Sequence, residues 1–206
     1  GTILGTAIWA FAGPPAFALL FLFFVLGTAA TRLGYARKAA AGIAQEKGGR
    51  RGPGNALSKT SIPALAAIFA AATDFPELYA IALAGSFATA AFDTVSSEVG
   101  KAYGRRTFLI TTLRPVPRGT DGAVSLEGTA AGMAAGLAVG ALGAALGLYP
   151  PIGMAAVVAA AFIATTLESL VGATLEKRGL LDNDAVNFLN SLAGALLAAG
   201  FGALQL

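Results

Sequence analysis

Long apolar stretches separated by polar connections make up most of the chain. Six of these stretches could cross a hydrocarbon layer about 30 Å thick, at about 1.5 Å of helix per residue. They cover residues 14–33, 55–73, 76–99, 124–147, 151–175 and 185–206, and a partial apolar segment, 2–12, precedes them. The pattern predicts an all-α fold in one integral membrane domain, residues 1–206: a polytopic bundle of about six transmembrane helices plus a partial N-terminal helix.

The composition fits a membrane protein and restricts its chemistry. Of the 206 residues, 56% are hydrophobic and 12% are charged, about half the charged fraction of a typical soluble domain. The chain has no cysteine and no histidine, which excludes disulfides, thiolate chemistry, the usual neutral general base and the commonest zinc ligand. A bound metal would therefore be a hard cation held by carboxylates, and Mg²⁺ fits best. Because the chain begins with Gly1 rather than methionine, we expect natural N-terminal residues to precede it.

The basic residues are concentrated in or beside three of the five connections. The connections 74–77 and 148–151 contain no Lys or Arg. The fourteen basic residues are Arg32, Arg37, Lys38, Lys47, Arg50, Arg51 and Lys59, then Lys101, Arg105, Arg106, Arg114 and Arg118, then Lys177 and Arg178. An even number of spans separates the basic connections, so they share one face, which the positive-inside rule makes cytoplasmic. In an organelle, the equivalent face is expected.

A ridge of glycines runs along the fourth span. Gly128, Gly132, Gly136 and Gly140 follow one another at four-residue spacing, a pattern that lets another helix approach closely. The ridge is typical either of tight packing inside the monomer or of a homodimer seam.

Two carboxylates, Asp93 and Glu168, lie in the third of their spans nearest the basic connections. Their helix faces carry other small or polar residues: Ser86, Thr89, Ser97 and Gly100 with Asp93, and Thr165, Ser169, Gly172 and Glu176 with Glu168. Two further spans begin at that surface with Asn55, Ser58 and Lys59 and with Asn187 and Asn190. Ionisable groups inside membrane spans face protein or water and mark functional sites. The four helices therefore predict a membrane-embedded site open to the cytoplasm.

Each of these features also has a purely structural interpretation. Asp93 and Glu168 could form a buried polar pair that stabilises the bundle, and Asn55 and Asn187 could cap helices or hydrogen-bond between them. The connection 114–125 offers glycines, hydroxyls and a following helix N-terminus, a combination that suits a phosphate. A Pro- and Gly-rich approach to a helix can equally be a simple turn.

Three motifs resemble one family of membrane proteins. They are Asp93-Thr-Val-Ser-Ser-Glu98-Val-Gly100, Val116-Pro-Arg-Gly-Thr-Asp-Gly-Ala-Val-Ser-Leu-Glu-Gly-Thr129 and Leu167-Glu168-Ser-Leu-Val-Gly-Ala-Thr174. The family contains plant and cyanobacterial phytyl-phosphate kinase and animal transmembrane protein 19, and the resemblance covers about residue 27 to the end. The chain is more distantly similar to CTP-using phytol and dolichol kinases and phosphatidate cytidylyltransferase. Where some of these have Lys-Lys-Thr before Glu-Gly, this chain has Ala123-Val-Ser125.

The resemblance implies phosphoryl transfer from a nucleoside triphosphate, with CTP expected, to an isoprenoid monophosphate such as phytyl phosphate. The product would be a diphosphate used in tocopherol synthesis. The resemblance also implies a bacterial plasma or thylakoid membrane, or a plastid membrane, with the active site facing the cytoplasm. On this hypothesis the metal ligands are Asp93 and Glu168, supported by Glu98 and Asp121. The nucleotide phosphates would contact Arg118, Gly119, Thr120, Gly122 and Ser125, and the acceptor phosphate would contact Arg50, Arg51, Asn55, Lys59 and Asn187. The expected cofactor is Mg²⁺, and the expected partners are CTP or another nucleoside triphosphate, a prenyl monophosphate and membrane lipids, with no nucleic acid.

Two alternatives remain open from the sequence. A membrane transporter or flippase of an isoprenoid or anionic lipid would also need polar groups within its spans, although such sites lie near the midplane. A CTP-dependent cytidylyltransferase would use the same nucleotide and metal. The reaction products distinguish the three functions. CDP with a lipid diphosphate indicates a kinase, and pyrophosphate with a CDP-lipid indicates a cytidylyltransferase. The absence of both pairs of products indicates transport.

Overall fold

The computed structural model describes residues 1–49 and 52–204. Within these residues the chain forms eight α-helices, one π-helical turn and two short strands. In chain order these are α1 (Thr2–Arg32), α2 (Tyr35–Ala40), α3 (Glu46–Gly49), α4 (Pro53–Ala72), α5 (Pro76–Tyr103), β1 (Thr107–Leu109), β2 (Ala123–Ser125), α6 (Leu126–Ala145), α7 (Gly153–Val171), the π-turn (Gly172–Glu176) and α8 (Asn183–Ala203). The predicted helical membrane bundle is confirmed. The predicted ends agree closely, except that α5 runs one turn further.

The first helix is folded back on itself. Trp9 packs edge-on against Phe17, with ring centroids 5.3 Å apart, and Gly5 lies beside Leu20. Trp9 and Phe17 are 8 residues apart in the sequence and Gly5 and Leu20 are 15 apart, so neither pair could touch in one straight helix. The two halves of α1, before and after Gly13, therefore run antiparallel and form two arms. Gly13 makes the turn with φ 74°, a conformation that glycine adopts without steric cost. The first arm is the predicted partial helix, and its eleven residues would extend only about 16 Å.

Within the described residues, five helices are long and apolar enough to cross a membrane: α1, α5, α6, α7 together with the π-turn, and α8. The sixth long helix, α4, falls outside this group because Asn55, Ser58 and Lys59 make its first half polar. Large apolar side chains such as Phe24, Leu65 and Leu196 point outward, where the hydrocarbon of a bilayer would cover them.

The central element of the bundle is α5. It contacts α1, α4, α6, α7 and α8, and every residue from 81 to 92 is buried. Its contact with α8 is close because both helices have glycine there: a Cβ on Gly85 would lie 2.7 Å from the carbonyl oxygen of Gly194, and one on Gly194 would collide with Thr89. The two backbones therefore touch directly at this crossing.

The glycine ridge of α6 packs inside the monomer. A Cβ on Gly128 would lie 2.6 Å from the Ser96 carbonyl oxygen, and one on Gly132 would lie 2.7 Å from the Phe92 ring. Both neighbours belong to α5, so the intramolecular interpretation of the ridge is confirmed for these two positions. The homodimer stays a prediction.

The three basic connections meet at one end of the bundle, called here the polar end. Arg37, between α1 and α4, donates to the carbonyl oxygen of Ala102 at 3.3 Å and lies over the Tyr103 ring. The first turns of α4 and α8 touch, since a Cβ on Gly54 would collide with the Asp184 carboxylate. The arrangement agrees with the even number of spans predicted between basic connections.

A short hairpin precedes α6 at the polar end. Strands β1 and β2 pair antiparallel, with Thr107 opposite Ser125. The sequence did not predict these strands, because three residues are too few to show an alternating pattern. The hairpin holds the turn 119–122 over the ends of α5 and α7.

Candidate active site

A cavity of about 560 Å³ opens at the polar end between α4, α5, α6, α7, α8 and the hairpin. Eleven of the fourteen predicted site residues line it: Asn55, Lys59, Asp93, Glu98, Gly119, Thr120, Asp121, Gly122, Ser125, Glu168 and Asn187. Among the residues that the structure describes, none from the opposite end of the bundle reaches this cavity. The cavity is therefore a one-ended polar pocket.

Two carboxylates from different helices meet in the wall of the pocket. Asp93 of α5 and Glu168 of α7 are close enough to hydrogen-bond with each other, and Glu176 also acts on Glu168 electrostatically. Lys59 of α4 forms an ion pair with Asp93, with Nζ 2.5 Å from Oδ2, and donates to Thr94 Oγ1 at 2.9 Å. Lys59 is 3% exposed. Three helices thus contribute charged side chains to one small volume.

Asn190 completes this group, although the sequence assigned it no role in metal or phosphate binding. Its Nδ2 donates to Glu168 Oε2 at 2.6 Å, while its buried Oδ1 makes no hydrogen bond to any residue that the structure describes. The sequence did carry a signal for it, because Asn190 lies one turn after Asn187 on the same stripe of α8. The amide orients one carboxylate oxygen and presents a second oxygen to the same region.

The oxygen groups around Asp93 and Glu168 fit a hard divalent cation. Two ionised carboxylates this close repel each other, and a bound cation relieves that repulsion. Within residues 1–49 and 52–204, no group of three or more His, Cys, Asp or Glu side chains is arranged to hold a metal without help. Mg²⁺ is commonly held by one or two carboxylates together with substrate phosphates and water. The pair Asp93 and Glu168 meets that requirement.

Glu98 has a different environment, although it also lines the pocket. Lys38 Nζ lies 2.5 Å from Glu98 Oε2 and donates to the carbonyl oxygens of Ala30 and Thr31 at 3.2 and 2.9 Å. The Lys38 side chain is completely buried and that of Glu98 is 2% exposed. Lys38 was predicted only as part of a basic connection, yet it forms an internal ion pair that ties α2 to α5.

The turn 119–122 covers one side of the pocket. Gly122 has φ +72°, and a Cβ there would collide with Ala173 and lie 2.5 Å from the carbonyl oxygen of Ser169. Only glycine permits this close approach of the turn to the end of α7. Thr120 Oγ1 donates to the carbonyl oxygen of Pro117 at 2.8 Å, which stabilises the turn internally.

Ser125 and Asn187 take part in local hydrogen bonds as well as lining the pocket. Ser125 is the N-cap of α6, and its Oγ accepts a hydrogen bond from the backbone N–H of Gly128 at 3.1 Å. Asn187 Nδ2 donates to the carbonyl oxygen of Asn183 at 2.7 Å and to its Oδ1 at 2.9 Å. The Ser125 bond caps α6, whereas both Asn187 bonds stay within α8 and are neither the cap nor the interhelical bond expected of Asn187. The phosphate contacts stay predictions.

Of the three predicted arginines, Arg118 alone lies within the described residues, and it does not line the pocket. Arg118 lies in a second depression, beside Arg105 and Arg106, and its Nη1 donates to the carbonyl oxygen of Ala102 at 3.3 Å. Arg50 and Arg51 lie outside the described residues. The hairpin therefore directs Arg118 away from the carboxylate pair.

The described walls of the pocket carry more carboxylates than basic side chains. The described carboxylates that line it are Asp93, Glu98, Asp121, Glu168, Glu176 and Asp184, whereas the described lysines are Lys59 and Lys101. None of the described arginines lines the pocket. Such a pocket favours cations, and a phosphate group would need accompanying metal ions.

Comparison with known proteins supplies the family context. The model of a family described as integral membrane protein DUF92 matches residues 1–195. The chain is 48% identical over 204 residues to an uncharacterized membrane protein of Synechocystis sp., covering 98% of this chain and 79% of that protein. It is 40% identical over 203 residues to the chloroplastic protein VTE6 of Arabidopsis thaliana, and the match covers 95% of this chain and 61% of VTE6. An uncharacterized membrane protein of Methanocaldococcus jannaschii is 35% identical over 198 residues, and the match covers 95% of this chain and 80% of that protein. No solved structure matches.

Proposed function

Because the chain belongs to the family of integral membrane proteins described as DUF92, we propose that it is a membrane prenyl-phosphate kinase. It would transfer the γ-phosphate of CTP to a prenyl monophosphate such as phytyl phosphate and release a prenyl diphosphate. The match confirms the resemblance found in the sequence motifs. The chloroplastic relative supports a plastid or photosynthetic membrane as one setting for this chemistry.

The observation that carries the proposal is the meeting of Asp93 and Glu168 in an open, one-ended pocket. A purely structural polar pair in a membrane bundle would be sealed among helices, whereas this pair lines a cavity of about 560 Å³. Carboxylates exposed to such a volume can take part in binding a soluble polyanion through divalent cations.

The reaction needs no general base, which agrees with a chain that has no histidine. The second pKa of a phosphate monoester is about 6, so at neutral pH the acceptor is mainly a dianion. One of its oxygens attacks the γ-phosphorus of the nucleotide while the bond from that phosphorus to the β,γ-bridging oxygen breaks. CDP leaves with the bond electrons, and the lipid becomes a diphosphate with no proton exchanged.

The residues of the pocket have distinct proposed roles. Asp93 and Glu168 would hold Mg²⁺, which neutralises phosphate charge when bound. Asn190 orients Glu168, and Lys59 fixes Asp93 while presenting positive charge to the acceptor phosphate. The nucleotide would lie under the turn 119–122, beside Asp121.

The off-centre position of the pocket favours an enzyme over a transporter. Transporter sites lie near the bilayer midplane, whereas the described lining residues come mainly from the polar end of the bundle. We place the pocket on the cytoplasmic side, or its organellar equivalent, because the basic connections surround it.

The direct test is a product analysis. Purified protein in lipid nanodiscs is incubated with Mg²⁺, a prenyl monophosphate and CTP carrying label in either the γ-phosphate or the cytidine. The proposal expects γ-label in a lipid diphosphate and cytidine label in CDP. Pyrophosphate with a CDP-lipid would make the protein a cytidylyltransferase. If neither pair of products forms, both enzyme proposals are contradicted.

The variant Asp93→Asn tests the site assignment. The amide keeps the size of the side chain and a hydrogen-bond acceptor for Lys59, but removes one negative charge from the proposed metal site. Turnover should fall to background in protein that remains folded, with folding checked by circular dichroism. The matched control is Asp74→Asn, in the connection at the opposite end, which should retain full activity; normal turnover in Asp93→Asn contradicts the assignment.

A further inference from the structure

The packing between α6 and α7 changes along their length. At the end far from the pocket, Gly140 of α6 is closely covered by α7: a Cβ there would lie 3.3 Å from Met154 and from Val158. Two turns nearer the pocket, the three atoms nearest to a Cβ on Gly132 all belong to Phe92 of α5. The neighbour of the ridge therefore changes from α7 to α5 as the helices approach the polar end.

One side of α7 continues past this change. Val158, Phe162, Thr166 and Ser169 follow at helical spacing along the side of α7 that touches α6. Phe162 and Thr166 line the pocket, yet Phe162 is 41% exposed, on the outward face of a membrane-spanning helix. A residue that bounds the cavity and also reaches the outer surface marks a place where the wall is one side chain thick.

Two aromatic rings and two threonines define this thin wall. Phe162 meets Phe92 edge-on, with ring centroids 6.1 Å apart. Thr129 of α6 and Thr166 of α7 also line the pocket. Along α7 the wall runs from Thr166, within one turn of Glu168, to Phe162, about 9 Å from Glu168 in the direction away from the polar end.

We propose that the gap between α6 and α7 at Phe162 is a lateral opening through which the hydrocarbon tail of a lipid phosphate lies while its head group reaches the pocket. The inference rests on the proposed function in that the head group is a phosphate monoester. An isoprenoid tail is unfavourable in water and stays in the hydrocarbon layer, so an acceptor of this kind must reach a polar pocket from the side. Phe162 sets the width of the opening and selects among tails.

Photochemical cross-linking tests the position of the tail. The wild-type protein in nanodiscs is given Mg²⁺ and a prenyl monophosphate that carries a diazirine close to the phosphate end of its tail, without nucleotide, so that no turnover occurs. Adducts should fall on α6 and α7 near Thr129, Phe162 and Thr166, and unlabelled prenyl monophosphate should compete for them. The proposal is overturned if adducts form only on α1 or α4. It is also overturned if unlabelled prenyl monophosphate does not reduce any adduct.

Kinetics of variants provide a second readout. Phe162→Trp should raise the KM for the prenyl phosphate about tenfold, a change typical of a misfitted apolar pocket, with the KM for CTP unchanged. Thr166→Phe narrows the same gap and guards against a folding defect specific to Phe162→Trp. The matched control is Phe24→Trp, on the exposed face of α1, which should leave both constants unchanged.

The two proposals fail separately. Competed adducts near Phe162 in a protein that makes no lipid diphosphate would retain the opening and reject the kinase. Normal phosphoryl transfer with unchanged lipid KM in both narrowing variants would retain the kinase and reject the opening.

Discussion

Two buried lysine–carboxylate pairs lie on α5 only five residues apart, and they differ in what surrounds them. Lys38–Glu98 and Lys59–Asp93 have the same N···O distance, 2.5 Å. Lys38 has two carbonyl oxygens as further acceptors, so its three N–H donors all have protein partners. Asp93 instead faces a second carboxylate, Glu168, and its side chain is 16% exposed.

The difference shows that burial of a charge in a membrane bundle does not by itself indicate function. Lys38 and Glu98 satisfy each other almost completely and hold α2 against α5. Asp93 and Glu168 repel each other when ionised, an arrangement that gains from an added cation. The pair that the protein leaves electrostatically incomplete is the better candidate for chemistry.

The largest effect on stability is expected from Lys38→Met. This variant leaves Glu98 and two carbonyl oxygens buried without their partner, which should lower the free energy of unfolding by about 3–5 kcal/mol. Thermal unfolding in detergent measures the loss. Turnover per folded molecule should stay near the wild-type value, because Lys38 contacts neither proposed substrate.

A double variant provides the control for this prediction. Lys38→Met combined with Glu98→Met replaces both charges with apolar side chains and should restore much of the lost stability. If Lys38→Met instead abolishes turnover without loss of stability, the contrast between the two pairs is wrong and Glu98 acts in the site, as its predicted supporting role would require.

The next effect concerns Glu168→Gln, which should lower kcat about a hundred- to a thousandfold. The amide oxygen still accepts from Asn190, and the repulsion with Asp93 disappears, so the unfolding temperature should not fall. Phosphoryl transfer and thermal unfolding are measured together. Glu77→Gln, in the first turn of α5 at the opposite end, is the control; a stability loss without a rate loss in Glu168→Gln would make Asp93 and Glu168 a structural pair.

A smaller effect is expected from Asn190→Ala. The variant removes the amide that orients Glu168, and groups that orient metal ligands typically contribute about ten- to a hundredfold to metal affinity. The Mg²⁺ concentration for half-maximal rate should rise by that factor, while the rate at saturating Mg²⁺ recovers. An unchanged Mg²⁺ dependence would exclude Asn190 as a positioning residue.

The smallest effect is expected from Ser125→Ala. Loss of the N-cap of α6 should lower the free energy of unfolding by about 1 kcal/mol, with the KM for CTP unchanged. Ser125 lines the pocket but hydrogen-bonds locally, and this variant shows whether its role is structural, like that of Lys38, or functional, like that of Asp93. A large increase in the KM for CTP would assign Ser125 to the nucleotide, as the sequence motif predicts.

Much of the fold could be predicted because membrane helices are specified by local apolar runs. The six long helices lie where hydropathy places them, and the turn at Gly13 follows from the Gly-Pro-Pro sequence. The spacing of Asp93 and Glu168 from the basic connections was enough to put both at one depth. Their meeting across two helices is what the structure adds.

The site could be predicted less completely, because side-chain partners depend on packing between distant segments. Lys38 and Glu98 are separated by 60 positions, and no local pattern marks Lys38 as buried. Arg118 belongs to a motif that resembles a phosphate-binding loop, yet the hairpin turns it toward Ala102. The sequence showed which polar residues share a helix face, but not which face of a loop meets the pocket.

The glycine crossing of α5 and α8 has a mechanical consequence. With the backbones in direct contact at Gly85 and Gly194, these two helices cannot slide or tilt apart without breaking their closest approach. Asp93 and Asn190 therefore belong to one stiff unit, and the Asn190 amide joins Glu168 of α7 to it. A shift of α7 against this frame would change the spacing of the two acids and the width of the gap at Phe162 in a single movement.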